Sequence, residues 1–328
     1  MYNLTRLSNK KLIIRLNLVT IIIVIFIIML IYSLLLKQCR FSSSNDSNSQ
    51  VKKQKYRLLI LILTSPDNMR ERVTIRKTWL SEKNDNVKHL FAIGTQNIEL
   101  ENYETLQSEQ AKFKDLLLLP KLRDAYGTLT KKVSQSFQRI YDLYDFDYLL
   151  KVDDDSFVVL HKLLVNLDTW EAKGYRKELY WGFFNGKAQV KRLGAWKETE
   201  WNLCDHYLPY AVGGGYVLSY NLVKYIAINA DSLRLFNSED VSVGLWLSAL
   251  ANIERRHDIR FDTEYRSRGC SNEYLITHKQ STESMKALHD HYTMTGNLCS
   301  KEFSSRMSYQ YNWTVPPSQC CVRKAGMI

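Results

Sequence analysis

The chain lacks any pair of C-x-x-C units, and this absence excludes the usual cysteine-rich zinc sites. It also lacks an internal repeat, which excludes a solenoid built from repeated units. Charged residues make up only 24% of the sequence and hydrophobic residues 45%, so the composition is not that of a disordered protein. A chain of 328 residues with this composition can bury a sizeable hydrophobic core.

The cysteines are few and unevenly placed. All but the first of the six lie in the C-terminal part of the chain: Cys39, Cys204, Cys270, Cys299, Cys320 and Cys321. They predict a structural disulfide framework whose pairing stays open. Because five is an odd number, one of these five is free, pairs with Cys39, or pairs with another chain.

Acidic residues are outnumbered by basic ones, and the net charge is +11. A basic excess suggests an anionic partner such as a nucleotide, an acidic polysaccharide or a membrane surface. Solubility and lysines beside a membrane explain the same excess, so the charge does not choose among these. Nucleic acid is not expected as a partner.

The apolar run Leu16–Leu36 contains no charged residue. A helix rises about 1.5 Å per residue and the hydrocarbon core is about 30 Å thick, so this run can span a membrane. Basic residues are more numerous before the run than after it: Arg6, Lys10, Lys11 and Arg15 against Lys37 and Arg40. The positive-inside rule then predicts a cytosolic tail over residues 1–15 and a transmembrane signal-anchor over 16–36. A cleaved signal peptide is disfavoured because no small-residue cleavage site follows the run.

The residues after this anchor are expected to face the lumen, where disulfides and glycans form. Residues 37–55 are polar and predict a short flexible stem, whereas residues 56–328 predict the folded body. Two sequons lie on the lumenal side, at Asn45 and Asn312. A third match, at Asn3, falls in the predicted cytosolic tail.

The body begins as alternating strands and helices. The predicted strands are apolar runs at Tyr56–Thr64, Val87–Gly94, Asp115–Pro120 and Tyr148–Val152. A helix is predicted over Asn68–Trp79. An amphipathic helix is predicted from apolar residues at steps of 3 or 4: Tyr126, Leu129, Val133, Phe137, Ile140 and Tyr144. This alternation predicts a mostly parallel, doubly wound α/β sheet that binds ligands beyond the carboxyl ends of its strands.

Asp153, Asp154 and Asp155 follow the fourth predicted strand directly. Adjacent carboxylates repel one another, so a bound cation such as Mg²⁺ or Mn²⁺ explains their position. The alternative is a solvated helix N-cap, and the buried strand before the triplet favours the metal.

A second acidic pair, Glu239 and Asp240, opens an apolar helix that includes Gly244. One of these carboxylates is a candidate general base, but an acid that complements the helix dipole explains the pattern equally well. His278 ends the predicted strand Tyr274–His278, where a histidine is either structural or a metal ligand.

Two further segments are candidates for sugar binding. The segment Tyr210–Tyr216 contains three glycines that let a backbone approach a ligand, although a tight turn is the simpler interpretation. The cluster Tyr180–Phe184 can stack on a sugar, although an ordinary core strand is favoured. Trp181, Tyr210, Gly214 and Gly215 are the acceptor or sugar-binding candidates from these segments.

Several motifs in this order resemble the β-1,3-galactosyltransferase family, which also contains β-1,3-N-acetylglucosaminyltransferases. They are Arg72-x-x-x-Arg76-x-Thr78-Trp79, Asp124-x-Tyr126-x-x-Leu129-Thr130-x-Lys132, Lys151–Asp155 and Glu239-Asp240-Val241-x-x-Gly244. The resemblance extends from about residue 56 to the C-terminus. Thr128 departs from it, because many family members carry asparagine there.

The resemblance implies a GT-A glycosyltransferase fold, a UDP-sugar donor and inversion at the anomeric carbon. It implies Asp240 as the base with Glu239 second, and a Mn²⁺ site, with Mg²⁺ as the alternative, at Asp153, Asp155 and His278. It also implies a donor site built from Arg72, Arg76, Asp124, Lys132 and Asp154. A Golgi membrane protein of type II topology is expected.

Four further segments resemble the family members that build the glycosaminoglycan–protein linkage region: Tyr180–Phe184, Phe261–Asn272, Thr277–Gln280 and Pro316–Cys321. This implies transfer from UDP-galactose to the 3-hydroxyl of a galactosyl-xylosyl core protein, with association with other linkage-region enzymes. Transfer of N-acetylglucosamine, another acceptor, or a catalytically silent lumenal sugar-binding protein are the alternatives. The silent protein is ranked last because every acid of both motifs is present.

Overall fold

The computed structural model describes residues 25–32, 53–174, 178–199, 201–202 and 205–326. Residues 25–32 form a helix, α1, whose apolar side chains are exposed. None of the helices in these ranges is long and apolar enough to cross a membrane. The tail 1–15, most of the predicted anchor 16–36 and of the stem 37–55, and Asn45, Cys39 and Cys204 lie outside the described residues. The predicted stem ends slightly too late, since Lys55 already belongs to the first strand of the body.

The body from Gln54 onward is one compact unit. Its strands, in chain order, are β1 Lys55–Leu63, β2 Val87–Gly94, β3 Leu116–Leu119, β4 Asp145–Asp153, β5 Phe157–Val158, β6 Glu178–Asn185, β7 Tyr210–Ser219, β8 Ile253–His257, β9 Phe261–Asp262, β10 Gly269–Cys270, β11 Ile276–Thr277 and β12 Phe303–Ser304.

The helices of the body follow or separate these strands. They are α2 Met69–Lys77, α3 Leu100–Phe113, α4 Leu129–Leu143, α5 Leu160–Ala172, α6 Tyr220–Asn229, α7 Glu239–Trp246 and α8 Thr282–Thr295, with 3₁₀ turns at Tyr126–Thr128, Ala230–Ser232 and Pro317–Gln319.

Seven strands form the central sheet in the order β3-β2-β1-β4-β7-β6-β8. The pairs β1–β2, β1–β4, β2–β3 and β6–β8 are parallel, and β7 runs antiparallel to both neighbours. The prediction of a mixed α/β body with a mostly parallel sheet is therefore confirmed. Successive strands are added on one side of β1 as far as β3 and then on its other side from β4. This switch in strand order between β1 and β4 opens a crevice at their carboxyl ends.

Strand β1 shows why the sheet is covered on both faces. Its side chains alternate, and Leu58, Ile60 and Ile62 belong to one core cluster whereas Leu59 and Leu61 belong to the other. Helices α2 and α5 pack on the first face, and α4 and α6 on the second. Complete burial of each aliphatic side chain contributes about 1.5–3 kcal/mol, so this strand fixes the centre of the fold.

A small sheet of the order β5-β11-β9 lies beyond the end of β4. The predicted strand Tyr274–His278 is shorter than expected, since only Ile276–Thr277 pairs with neighbours. Its short pairing still places His278 beside the residues that follow β4. The structure pairs Cys270 with Cys299 and the adjacent Cys320 with Cys321.

Candidate active site

A cleft of about 590 Å³ opens at the carboxyl ends of β1, β2 and β4. Its lining includes Thr64–Asn68 after β1, Gln96 after β2 and the acidic triplet Asp153–Asp155 at the end of β4. This is the crevice that the sheet order creates, and the prediction of a ligand site at this edge is consistent with it.

Three residues from two distant segments can hold a divalent cation at this cleft. Ligand atoms of Asp153, Asp155 and His278 all lie within 4.8 Å of one another. Nε2 of His278 lies 2.9 Å from Oδ1 of Asp155, yet both atoms are buried without a hydrogen bond among the described residues. Buried polar atoms normally have a partner, and two carboxylates with one imidazole suit Mn²⁺ or Mg²⁺. The residues therefore fit a divalent metal.

The ring of His278 is held in the orientation that a ligand needs. Its Nδ1 donates to the carbonyl oxygen of Glu264 at 3.2 Å, which directs Nε2 toward the carboxylates. Gly214 packs against the same ring, because a Cβ there would lie 2.6 Å from Nδ1. Burial opposes a charged His278, but Asp153 and Asp155 outweigh burial and raise its pKa to about 9. A bound cation would replace this proton.

Lys151 on β4 lies fully buried beneath the cluster. Its ammonium donates to Oδ1 of Asp153 at 2.7 Å, to Oε1 of Glu239 at 2.5 Å and to the carbonyl of Gly213 at 2.6 Å. Burial alone would lower the pKa of Lys151, but the two carboxylates raise it. The lysine therefore stays charged and joins β4, β7 and α7 at one point.

Glu239 is enclosed at the start of α7. Only 3% of it is exposed, and its second carboxylate oxygen accepts from the Tyr216 hydroxyl at 3.0 Å. Burial raises the pKa of Glu239 to about 7 against the opposing effect of Lys151. A carboxylate with both oxygens engaged inside the protein is suited to holding the site together.

Asp240 is placed differently from its neighbour. Its side chain is only half-buried, and it accepts from the backbone N–H of Gly213 at 2.9 Å and of Val241 at 2.8 Å. Burial raises the pKa of Asp240 although Lys151 opposes it. A partly exposed carboxylate with a fixed orientation and a raised pKa can accept a proton from a ligand.

Three of the predicted donor residues line the cleft: Asp124, Lys132 and Asp154. The ammonium of Lys132 lies 2.7 Å from Oδ1 of Asp124, whose other oxygen accepts from the backbone N–H of Gly94 at 2.8 Å. Asp154 accepts from the side-chain amide of Asn68 at 2.8 Å. Lys132 is itself buried and paired with Asp124, so these residues shape the wall of the cleft and leave carboxylate oxygens as acceptors along it.

The two predicted donor arginines do not line the cleft. Arg72 is fully buried, where it pairs with Glu109 and donates to the carbonyl of Ser65 at 2.6 Å. Arg76 pairs with Asp115 at 2.8 Å. Arg72 therefore supports the Ser65 turn, and Arg76 holds Asp115 just before β3. Carboxylates distant in sequence neutralise both arginines.

The acceptor candidates from the aromatic segment Tyr180–Phe184 and the glycine-rich segment Tyr210–Tyr216 are also buried. Trp181 is 0% exposed and donates to Asp258 at 3.0 Å, so the core-strand interpretation holds. Tyr210 is 8% exposed and packs against Gly244, and Gly215 faces Val152 and Ile276. These positions, like Gly214, fit close packing of β6 and β7 rather than direct sugar contact.

Thr128 replaces the expected asparagine within the 3₁₀ turn before α4. Its hydroxyl lies 2.8 Å from the carbonyl of Arg123 and 3.2 Å from the backbone N–H of Ala125. The threonine therefore holds the turn that carries Tyr126 into the cleft.

Two functional lysines were not identified from the sequence. Lys151 has a signal, because it is the one charge inside the apolar strand run that precedes the acidic triplet. Lys279 lies in the segment Thr277–Gln280 that carries the resemblance; its ammonium lies 3.0 Å from Oδ2 of Asp155 and its backbone adopts a left-handed φ of 63°. Its contact with Asp155, rather than its backbone conformation, places Lys279 at the site, since Lys114 at the end of α3 also has a positive φ.

The chain is similar in sequence to known galactosyltransferases. A sequence model described as galactosyltransferase matches residues 70–258. The chain is 45% identical over 300 residues to β-1,3-galactosyltransferase 6 of Mus musculus, which covers 90% of the chain and 92% of that protein. It is 32% identical over 246 residues to hydroxyproline O-galactosyltransferase GALT2 of Arabidopsis thaliana, covering 72% of the chain and 34% of that protein.

A solved structure with some similarity is the mannosyltransferase PcManGT of Pyrobaculum calidifontis in complex with GDP-Man and Mn²⁺. It has a TM-score of 0.36 and 10% identity over 62% of the chain and 55% of that structure. The sequence model matches more than half of the chain and the mouse relative matches nine-tenths of it. The chain therefore belongs to the galactosyltransferase family.

Proposed function

We propose that this protein is a metal-dependent, inverting β-1,3-galactosyltransferase with a GT-A fold. It transfers galactose from UDP-galactose to the 3-hydroxyl of a β-galactose on xylose, and so builds the linkage region of glycosaminoglycan-bearing core proteins. The observation that carries the proposal is the proximity of the Asp153–Asp155–His278 cluster to Asp240: Lys151 donates to Asp153 and to the carbonyl of Gly213, whose backbone N–H in turn donates to Asp240. The linkage-region acceptor is supported by the four sequence segments that resemble that subgroup and by the 45% identity to the mouse relative.

The reaction is a single displacement in this account. The 3-hydroxyl oxygen attacks C1 of galactose while the bond from C1 to the diphosphate oxygen breaks, so the α linkage of the donor becomes β. UDP leaves with the bonding electrons, and the hydroxyl proton moves to Asp240. Asp240 suits this role because Gly213 and Val241 fix its carboxylate and burial raises its pKa.

Asp153, Asp155 and His278 would hold Mn²⁺ or Mg²⁺, which supplies positive charge to the departing diphosphate when bound. Lys279 adds a cation at the same place, since it already contacts Asp155. Lys132 and Asp124 face the nucleotide end of the cleft. Glu239 and Lys151 keep these parts in register from the buried side.

We also propose that the protein is a type II membrane protein of the Golgi, anchored by residues 16–36 with the body in the lumen. Protease added to intact Golgi vesicles should spare the body and reach only the first 15 or so residues. Digestion of the body without detergent would show that the body faces the cytosol and would contradict this orientation.

The activity is tested with the full chain in detergent, UDP-galactose and a galactosyl-xyloside, with and without Mn²⁺. We expect a galactosyl-β-1,3-galactosyl-xyloside only when the metal is present. Parallel reactions use UDP-N-acetylglucosamine as donor and an N-acetylglucosaminide as acceptor. Equal or better transfer in either parallel reaction would contradict the proposed specificity.

A further inference from the structure

Three aromatic side chains form a continuous row beside the active site. Tyr126 is 52% exposed and its ring centroid lies 6.3 Å from that of Trp196. Trp196 in turn lies 5.1 Å from Tyr265, which is 64% exposed. Trp196 is partly buried between the two exposed tyrosines. Large aromatic rings are normally buried, so a row with two exposed rings indicates a surface that contacts a ligand.

Both ends of the row reach the groups that perform the chemistry. Tyr126 lines the cleft together with Asp153, Asp154 and Asp155. Tyr265 follows Glu264, whose carbonyl orients His278. One end of the row therefore lies in the cleft that holds the acidic triplet, and the other end lies beside Lys279, which contacts Asp155.

The loop that carries Trp196 is fixed to the segment that carries the base. The side-chain amide of Asn237 donates to the carbonyls of Ala195 at 2.8 Å and Lys197 at 3.3 Å, on either side of Trp196. The backbone N–H of Asn237 donates to the buried carboxylate of Glu198 at 2.8 Å. Asn237 precedes Asp240 by three residues, so the tryptophan and the base share one support.

From these contacts we infer that Tyr126, Trp196 and Tyr265 form the platform that binds the acceptor sugar, with Trp196 at its centre. The ligand class is a neutral β-pyranoside, because one face of such a ring presents C–H groups to an aromatic surface while its hydroxyls point outward. Stacking on Trp196 would direct one hydroxyl to Asp240, and the protonated Tyr126 can donate to another. This inference rests on the proposed function, since it assigns the acceptor side of the same site.

The test compares Trp196→Ala, Trp196→Phe and Tyr265→Ala with wild type in the full chain. We expect Trp196→Ala to raise the acceptor KM about tenfold, in line with the energy of an aromatic contact, and Trp196→Phe to recover most of the loss. The KM for UDP-galactose and its slow hydrolysis without acceptor should stay unchanged. Trp313→Ala is the matched control, because this tryptophan is 43% exposed and stacks on Tyr311 instead. It should leave the acceptor KM unchanged.

A binding measurement separates the two possible failures. Saturation-transfer NMR with UDP and Mn²⁺ present detects the galactosyl-xyloside and an N-acetylglucosaminide directly on wild type and variants. If wild type binds and uses only the N-acetylglucosaminide, the proposed acceptor is wrong. The platform is still supported in that case if Trp196→Ala weakens the binding of the N-acetylglucosaminide. An acceptor KM and a saturation signal that are the same in Trp196→Ala and wild type, at equal melting temperature, would overturn the platform.

Discussion

The ammonium of Lys151 lies 2.5 Å from Oε1 of Glu239, and both side chains are buried. The same ammonium contacts Asp153 of the candidate metal cluster at 2.7 Å. One buried cation therefore connects the strand that ends in metal ligands to the helix that presents the candidate base. Removing a partner from such a group leaves an uncompensated charge, which is far costlier than losing a surface ion pair.

Lys151→Met should abolish activity and destabilise the body. Loss of one partner from a buried ion pair typically costs about 3–5 kcal/mol of stability. In this variant two carboxylates, Asp153 and Glu239, would lose the same cation. Urea unfolding of the variant measures the change in the free energy of unfolding. Lys131→Met is the control, because this lysine is exposed on α4. If both variants unfold at the same urea concentration as wild type, Lys151 does not hold the site together.

Asp155→Ala should nearly abolish turnover without unfolding the protein. The side chain is a cation ligand at the edge of the cleft and not part of the core, so the melting temperature should change little. Turnover against Mn²⁺ concentration measures the effect, and EDTA should inactivate wild type. Asp142→Ala, an exposed position on α4, is the control. Full turnover by Asp155→Ala, with EDTA harmless to wild type, would remove the metal assignment.

Asp115 predicts a pH dependence of stability that is independent of catalysis. Burial would raise its pKa, but hydrogen bonds from His89 and Arg76 outweigh burial and lower it to about 2. A lowered pKa in the folded state stabilises the protein above the ordinary value of 3.8, and this contribution is lost as the pH falls toward 2. It amounts to about 2 kcal/mol by linkage.

Asp115→Asn should therefore make the free energy of unfolding less dependent on pH in the acid range. Its free energy of unfolding, measured from pH 2 to pH 6, should approach that of wild type at the acid end and fall below it near pH 6. A constant difference across this range would show that the carboxylate does not titrate as described.

Asn312 should carry a glycan when the protein is made in a secretory cell. It is exposed, and its side-chain oxygen accepts from the Thr314 hydroxyl at 2.7 Å and from the Thr314 backbone N–H at 3.0 Å. Asn312→Gln and Thr314→Val should each remove the same glycan mass, and Thr314→Ser should retain it. A glycosidase-sensitive mass that is unchanged in Asn312→Gln would assign the glycan elsewhere.

The sheet and the metal cluster could be predicted because local signals determine them. The apolar run of β1 and the amphipathic stripe of Val133, Phe137 and Ile140 read directly as buried faces. The position of the triplet after β4 follows from the rule that parallel strands bring their carboxyl ends to one edge. Only the contact of the triplet with His278 required the family resemblance.

The core-strand interpretation of Trp181 came from local sequence, but the roles of Arg72 and Gly214 could not be predicted in that way. Arg72 turns away from the cleft because Glu109, 37 residues later, neutralises it. Trp181 belongs to a hydrophobic core cluster, and its indole N–H is satisfied there because Asp258 accepts from it. Gly214 is required by the ring of His278, which lies far away in sequence. For Arg72 and Gly214 a long-range partner decides between a ligand contact and a structural one.

The central claim is that Asp240, and not Glu239, takes the proton of the acceptor hydroxyl. The most direct test measures kcat for galactose transfer to a galactosyl-xyloside by Asp240→Asn and Glu239→Gln, with UDP binding and melting temperature as controls. General base catalysis typically contributes about 10²–10⁴ in rate, so Asp240→Asn should lose a hundredfold or more in kcat while UDP binding and melting temperature hardly change. Glu239→Gln should lower the melting temperature, because it weakens the contact with buried Lys151, and it should retain more activity. An active Asp240→Asn beside an inactive Glu239→Gln would contradict the account.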